Sequence, residues 1–106
     1  MKLRFKTANP GGLKQAIIKM VKEGKLNTWA ILSSNGIDYL KHTQQWGEKG
    51  VLQVTDNKVA AALEVEVRRL EGVKEEIKDF EGYYLGRFCE IIFVNFKDQF
   101  TAIEKV

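Results

Sequence analysis

Five short segments of the chain have patterns typical of β-strands. Most of them alternate hydrophobic and polar residues with a two-residue period, whereas residues 27–33 carry apolar side chains on both sides. The segments are residues 2–7, 27–33, 37–43, 51–55 and 58–68. In the first segment the basic residues Lys2, Arg4 and Lys6 share one side, and the apolar residues share the other. Asn35-Gly36 is typical of a hairpin turn, and Asp56-Asn57 predicts a second one. We therefore predict five strands, of which the first has one wet face.

An N-terminal helix is predicted after the first strand. Asn9 is a good N-cap residue, and Pro10 follows it at the first helical position. Apolar residues then recur every three or four positions until Gly24, which is typical of a helix end. The start, the apolar face and the stop agree with one another.

The C-terminal stretch, residues 72–106, has the longest helical pattern, with apolar residues mostly three or four apart. One helix from Lys74 to Glu104 would be about 46 Å long, whereas a domain of this size is about 30 Å across. We therefore predict a break near Gly82, with Tyr83 to Ile103 forming the main core helix.

The predicted order is β-α-β-β-β-β-α, which gives an α+β fold. We expect a two-layer sandwich in which a mainly antiparallel sheet carries both helices on one face. The layered arrangement resembles the ferredoxin-like folds in outline, although their order is β-α-β-β-α-β. A chain of 106 residues has room for a single domain, residues 1–106.

Composition excludes several kinds of site. Cys89 is the only cysteine and His42 the only histidine, so neither an internal disulfide nor a two-histidine metal motif is available. Glycine-rich phosphate-binding motifs are missing, and we expect no cofactor and no metal. No apolar run is long enough to cross a bilayer and the N-terminus is unlike a signal peptide, so we expect a cytoplasmic protein without membrane association.

The simplest functional hypothesis is a small soluble, non-enzymatic interaction module that forms a homodimer. The second face of the predicted sheet carries Ala60 and Ala62, with Val51 or Leu52 nearby. Small apolar residues on a face that should otherwise be polar predict a flat patch that pairs with another copy or with a protein partner.

Several polar and aromatic residues are candidates for a binding site. Tyr83, Arg87 and Glu90 are four and three positions apart, so they form one strip on the predicted helix next to the unusual glycines. Arg87 with Glu90 predicts an intrahelical ion pair, and with Tyr83 it could hold an anion. His42 lies at the end of a predicted strand, and Trp46 is expected to anchor the loop that follows.

Two alternative functions follow from charge. Residues 1–50 carry the basic excess, and Lys2, Arg4 and Lys6 predict a nucleic-acid surface unless they pair across the sheet with Glu64 and Glu66.

The other alternative is a small nuclease or hydrolase in which His42 acts as a base and Arg87 stabilises negative charge. This alternative requires the two side chains to converge in the folded chain.

Overall fold

The computed structural model describes residues 1–44, 49–70 and 80–106. Their elements in chain order are β1 (Lys2–Lys6), α1 (Pro10–Lys22), β2 (Trp29–Ser34), β3 (Ile37–His42), β4 (Gly50–Asn57), β5 (Ala62–Arg69), α2 (Phe80–Asn95) and β6 (Ala102–Lys105). The predicted α+β sandwich is confirmed, and a strand that was not predicted follows α2.

All neighbouring strands of the sheet are antiparallel, in the order β2-β3-β4-β5-β1-β6. The first strand is therefore internal, between β5 and β6. Its register places Phe5 opposite Leu63 and Ile103, and Arg4 opposite Glu64 and Glu104. Because side chains alternate between the faces of a sheet, the apolar set lies under the helices and the charged set lies on the open face.

Both helices cover the same face of the sheet, as predicted. Helix α1 begins where expected, because the Asn9 side-chain oxygen accepts a hydrogen bond of 3.0 Å from the Gly12 N–H. Its buried residues meet the sheet together with those of α2, and Phe5 contacts Phe88 edge to face at a centroid distance of 5.8 Å. The core thus lies between the two helices and one sheet face.

The predicted end of the C-terminal helix is wrong, because α2 ends at Asn95 instead of near Ile103. The predicted break near Gly82 stays a prediction, since Gly82 is only the third described residue of α2. The chain then turns and forms β6. Just before this strand, the Thr101 N–H donates a hydrogen bond of 2.9 Å to the Lys6 carbonyl oxygen. Without β6, the backbone N–H and C=O groups on one edge of β1 would have no partners in the sheet. The hydrogen bonds formed there stabilise the strand more than the helical spacing of the apolar residues favours a helix. Residues 72–79 lie outside the described residues.

The second hairpin also differs from its prediction. Strand β4 continues to Asn57, and residues 58–61 form the turn, with Ala61 at φ 49° and Val59 fully exposed. The Asn57 side chain accepts a hydrogen bond of 3.0 Å from the Ala60 N–H, which stabilises this longer turn. Of the predicted patch, Ala60 lies in the turn and Leu52 faces the helices, while Val51 and Ala62 lie on the open face at opposite ends of the β4–β5 pair. The Asn35-Gly36 turn is confirmed by positive φ at both residues.

Candidate functional site

His42 occupies the end of β3 on the helix side of the sheet, where it is only 6% exposed. Its backbone N–H donates to the Tyr84 hydroxyl at 2.9 Å, and its ring meets the Trp29 ring edge to face at 5.0 Å. Trp29 is directly opposite on β2. The imidazole is thus held between a strand neighbour and helix α2.

A cavity of about 270 Å³ opens beside this ring. Its lining residues are Thr28, His42, Gln44, Arg87 and Glu90. Three of them, His42, Arg87 and Glu90, belong to the predicted site residues, and they come from strand β3 and helix α2. The structure therefore brings His42 and Arg87 to one cavity.

The electrostatics of the cavity keep the imidazole neutral. Burial lowers the pKa of His42, the charge of Arg87 lowers it further, and Glu90 opposes both effects. The His42 Nδ1 atom accepts a hydrogen bond of 3.3 Å from the Gln44 N–H, so the proton of the neutral ring resides on Nε2. In this tautomer Nδ1 is the only nitrogen that can accept a proton, and it already accepts the Gln44 N–H. Arg87 supplies positive charge, although Glu90 already binds it at 3.0 Å.

The remaining predicted binding residues are placed differently. Tyr83 lies on the outward side of α2, 58% exposed, and is not among the residues that line the cavity. Trp46 lies outside the described residues. Thr28 and Gln44 were not predicted, because a single threonine before a strand and a single glutamine after one carry no recognisable pattern.

The basic side chains of β1 are paired with carboxylates on the open sheet face. Glu64 binds Arg4 at 2.7 Å and Lys2 at 3.4 Å, while Lys6 lies 3.6 Å from Glu104. The hydrogen bond from Arg4 is the largest cause that lowers the pKa of Glu64, and Lys2 adds to it. The cross-strand pairing with Glu64 was predicted, whereas the partner of Lys6 is on the unpredicted strand β6.

Another part of the open face is apolar. Leu32, Ile37, Tyr39 and Val51 line a groove of about 580 Å³ together with Arg68 and its neighbours. Arg68 donates from Nε to the Gln53 Oε1 atom at 3.0 Å and lies 3.6 Å from Glu66. The guanidinium group of Arg68 at the edge of this groove therefore already has polar partners.

Helix α2 carries large apolar residues on both of its sides. One side is buried against the sheet, through Phe80, Tyr84, Leu85, Phe88 and Ile92. The opposite side, called the outer face of α2 below, consists of Gly82, Tyr83, Gly86, Arg87, Glu90, Phe93 and Val94. Its large apolar residues are more than half exposed, with 58% for Tyr83, 54% for Phe93 and 76% for Val94.

Within residues 1–44, 49–70 and 80–106, no group of three His, Cys, Asp or Glu side chains is close enough to hold a metal ion. The helices in the same ranges are too short or too polar to cross a membrane. Comparison of the chain with protein-family models, with curated proteins and with solved structures finds no match.

Proposed function

We propose that this protein is a non-enzymatic interaction module of the cytoplasm that forms a homodimer through the outer face of α2. One observation carries the proposal: Tyr83, Phe93 and Val94 expose more than half of their surface on a single helix face. An amphipathic surface helix normally presents polar residues to water, and large apolar side chains exposed on one helix face favour an interaction site.

The shape of the surface favours a second helix as the contact. The outer face of α2 belongs to one regular helix of 16 residues, and helices pack by fitting the ridges of one into the grooves of another. By comparison, the apolar groove on the sheet is recessed, and its rim residue Arg68 already contacts Gln53 and Glu66. The outer face of α2 is therefore the better candidate for self-association.

The contact is expected to be weak and reversible. Helix α2 has 16 residues, so it is about 24 Å long. A contact confined to one such helix from each copy is smaller than a standard protein interface, which buries about 800 Å² on each partner. We expect dimers that dissociate on dilution, with a Kd in the range of about 1 μM to 1 mM.

Sedimentation velocity over a concentration series tests this proposal. Wild-type protein should shift from the monomer to the dimer mass as its concentration rises. Val94→Asp should remain monomeric, because it places a charge in the apolar contact. Val59→Asp is the matched control, since Val59 is fully exposed in the β4–β5 turn, and it should associate like wild type. A wild type that stays monomeric up to about 1 mM would refute the homodimer.

A second candidate function is the small nuclease or hydrolase, which the cavity shared by His42 and Arg87 supports. In this function His42 Nδ1 must release the Gln44 N–H before it accepts a proton from water or a hydroxyl group, and Arg87 stabilises the resulting negative charge. Hydrolysis of short RNA and of simple phosphate and carboxylate esters by wild type, with loss of that activity in His42→Ala, would support it. An inactive wild type would reject it.

The nucleic-acid alternative uses Lys2, Arg4 and Lys6. Their contacts with Glu64 and Glu104 reduce the net positive charge of this surface, so we rank this function below the others. Fluorescence anisotropy with short RNA and DNA over a salt series tests it, because phosphate binding weakens as salt increases. Flat titrations would reject it.

A further inference from the structure

We propose that α2 pairs with α2 of a second copy in an antiparallel arrangement, with the twofold axis between residues 88 and 89. This inference rests on the proposed homodimer and specifies its register. The central contact is between Arg87 of one copy and the partner's Glu90, and it occurs twice by symmetry. The observations that carry it are the charge pattern and the exposed residues of the outer face of α2.

The spacing of the residues along this face is the same when read in either direction. Tyr83, Arg87, Glu90 and Val94 are separated by four, three and four positions, so they form one stripe along the helix. An antiparallel partner reverses the order. Arg87 then faces Glu90, and Tyr83 faces Val94, around one shared midpoint. The surface is self-complementary in charge, as the two halves of a twofold interface must be.

The charges also disfavour neighbouring registers. An axis at residue 87 would place the two Arg87 side chains opposite each other, and an axis at residue 90 would do the same with the two Glu90 side chains. Like charges opposite each other are unfavourable. Within one helix Arg87 binds Glu90 at 3.0 Å, so the dimer would join two such pairs into a network of four charges.

The flank of the stripe offers a matching shape. Gly82, Gly86 and Phe93 lie beside the stripe, all on one side of it. In an antiparallel twofold pair, this side of one helix lies next to the same side of the partner helix. Among the described residues, no atom lies within 4 Å of where a Cβ on either glycine would be. The open space at Gly86 can therefore receive the partner's Phe93. Phe100 supports that ring from behind, edge to face at 5.6 Å.

Charge reversal followed by mixing tests this register. Arg87→Glu gives one copy two acidic residues at the centre, and Glu90→Arg gives the other two basic residues. Each variant alone should associate about tenfold more weakly than wild type, because like charges meet across the axis. An equimolar mixture should form heterodimers at least as well as wild type forms homodimers. Both variants lack the intrahelical pair, so any recovery on mixing must come from contacts between copies.

Sedimentation equilibrium on each variant and on the mixture, with one variant carrying an added fluorescent tag, measures these affinities. Circular dichroism confirms that both variants fold. If wild type dimerises but the mixture associates no better than the separate variants, the register is wrong and the homodimer stands. If wild type itself stays monomeric, the proposed function fails together with the register. Recovery on mixing supports both.

Discussion

The Tyr84 hydroxyl donates a hydrogen bond of 2.8 Å to the backbone carbonyl of Gly50. The same oxygen accepts the backbone N–H of His42 at 2.9 Å, so one buried side chain of α2 joins the ends of strands β3 and β4. Burial raises the pKa of Tyr84, while the hydrogen bond from His42 acts in the opposite direction. The phenol therefore stays protonated and can make both bonds.

Tyr84→Phe should lower the free energy of unfolding by about 1–3 kcal/mol, because it leaves a buried N–H and a buried carbonyl without their partner. Urea denaturation measures the change. Tyr39→Phe is the control, since it removes the same oxygen from a tyrosine on the open sheet face and should change stability by less than about 0.5 kcal/mol. Equal effects of the two variants would contradict a structural role for the Tyr84 hydroxyl.

Acidification should destabilise the protein through His42. Its folded-state pKa lies below the ordinary value of 6.5, chiefly because the ring is buried. At pH values below 6.5 the unfolded chain therefore binds a proton at His42 more readily than the folded chain does. The stability that the neutral ring contributes above pH 6.5 is lost as the pH falls through the folded-state pKa. The slope cannot exceed about 1.4 kcal/mol per pH unit for one group.

NMR titration of the His42 ring protons should give a midpoint below 6.5. Denaturation between about pH 5.5 and 7.5, above the range of ordinary carboxylates, should show stability rising with pH. His42→Gln removes the titrating ring and should flatten this dependence. A midpoint above 6.5 would mean that Glu90 outweighs burial and Arg87 in the site.

Glu64→Gln should cost about 1–2 kcal/mol of stability, because the carboxylate accepts charge-assisted hydrogen bonds in a nearly buried position. Glu104→Gln is the matched control, since that carboxylate is half exposed and lies 3.6 Å from Lys6. An exposed ion pair contributes about 0–1 kcal/mol. Thermal unfolding of both variants at neutral pH would show which one loses more stability. A larger loss of stability in Glu104→Gln would contradict this prediction.

Two glycine substitutions should have opposite signs. Gly86→Ala should stabilise the monomer by about 1 kcal/mol, because alanine is the better helix former and no described atom lies near the new Cβ. Gly50→Ala should destabilise the protein, because its Cβ would lie 2.8 Å from the Arg68 carbonyl oxygen and 3.2 Å from the Phe80 ring. Chemical denaturation at low protein concentration measures both values. Destabilisation by Gly86→Ala would show that this position is not open in the monomer.

Local sequence patterns predicted the structure correctly wherever the conformation of a segment depends on its own residues. The Asn9-Pro10 start of α1 follows from capping chemistry, and the Asn35-Gly36 turn follows from tolerance of positive φ. The alternation in β1 correctly separated its basic side from its apolar side. From these signals the layered α+β class could be derived, because amphipathic strands and helices must bury their apolar faces against one another.

The sequence by itself thus determined the elements that are specified within a few residues, the fold class and the three cavity residues His42, Arg87 and Glu90 as candidates. Only the tertiary structure decided that Ala102–Lys105 is a strand, because helical spacing and a free edge of β1 compete for that segment. It also decided that the residue before β2, the end of β3 and helix α2 bring Thr28, His42 and Arg87 to one cavity. Contacts between distant segments depend on how the whole sheet pairs and packs, and no local period encodes that pairing.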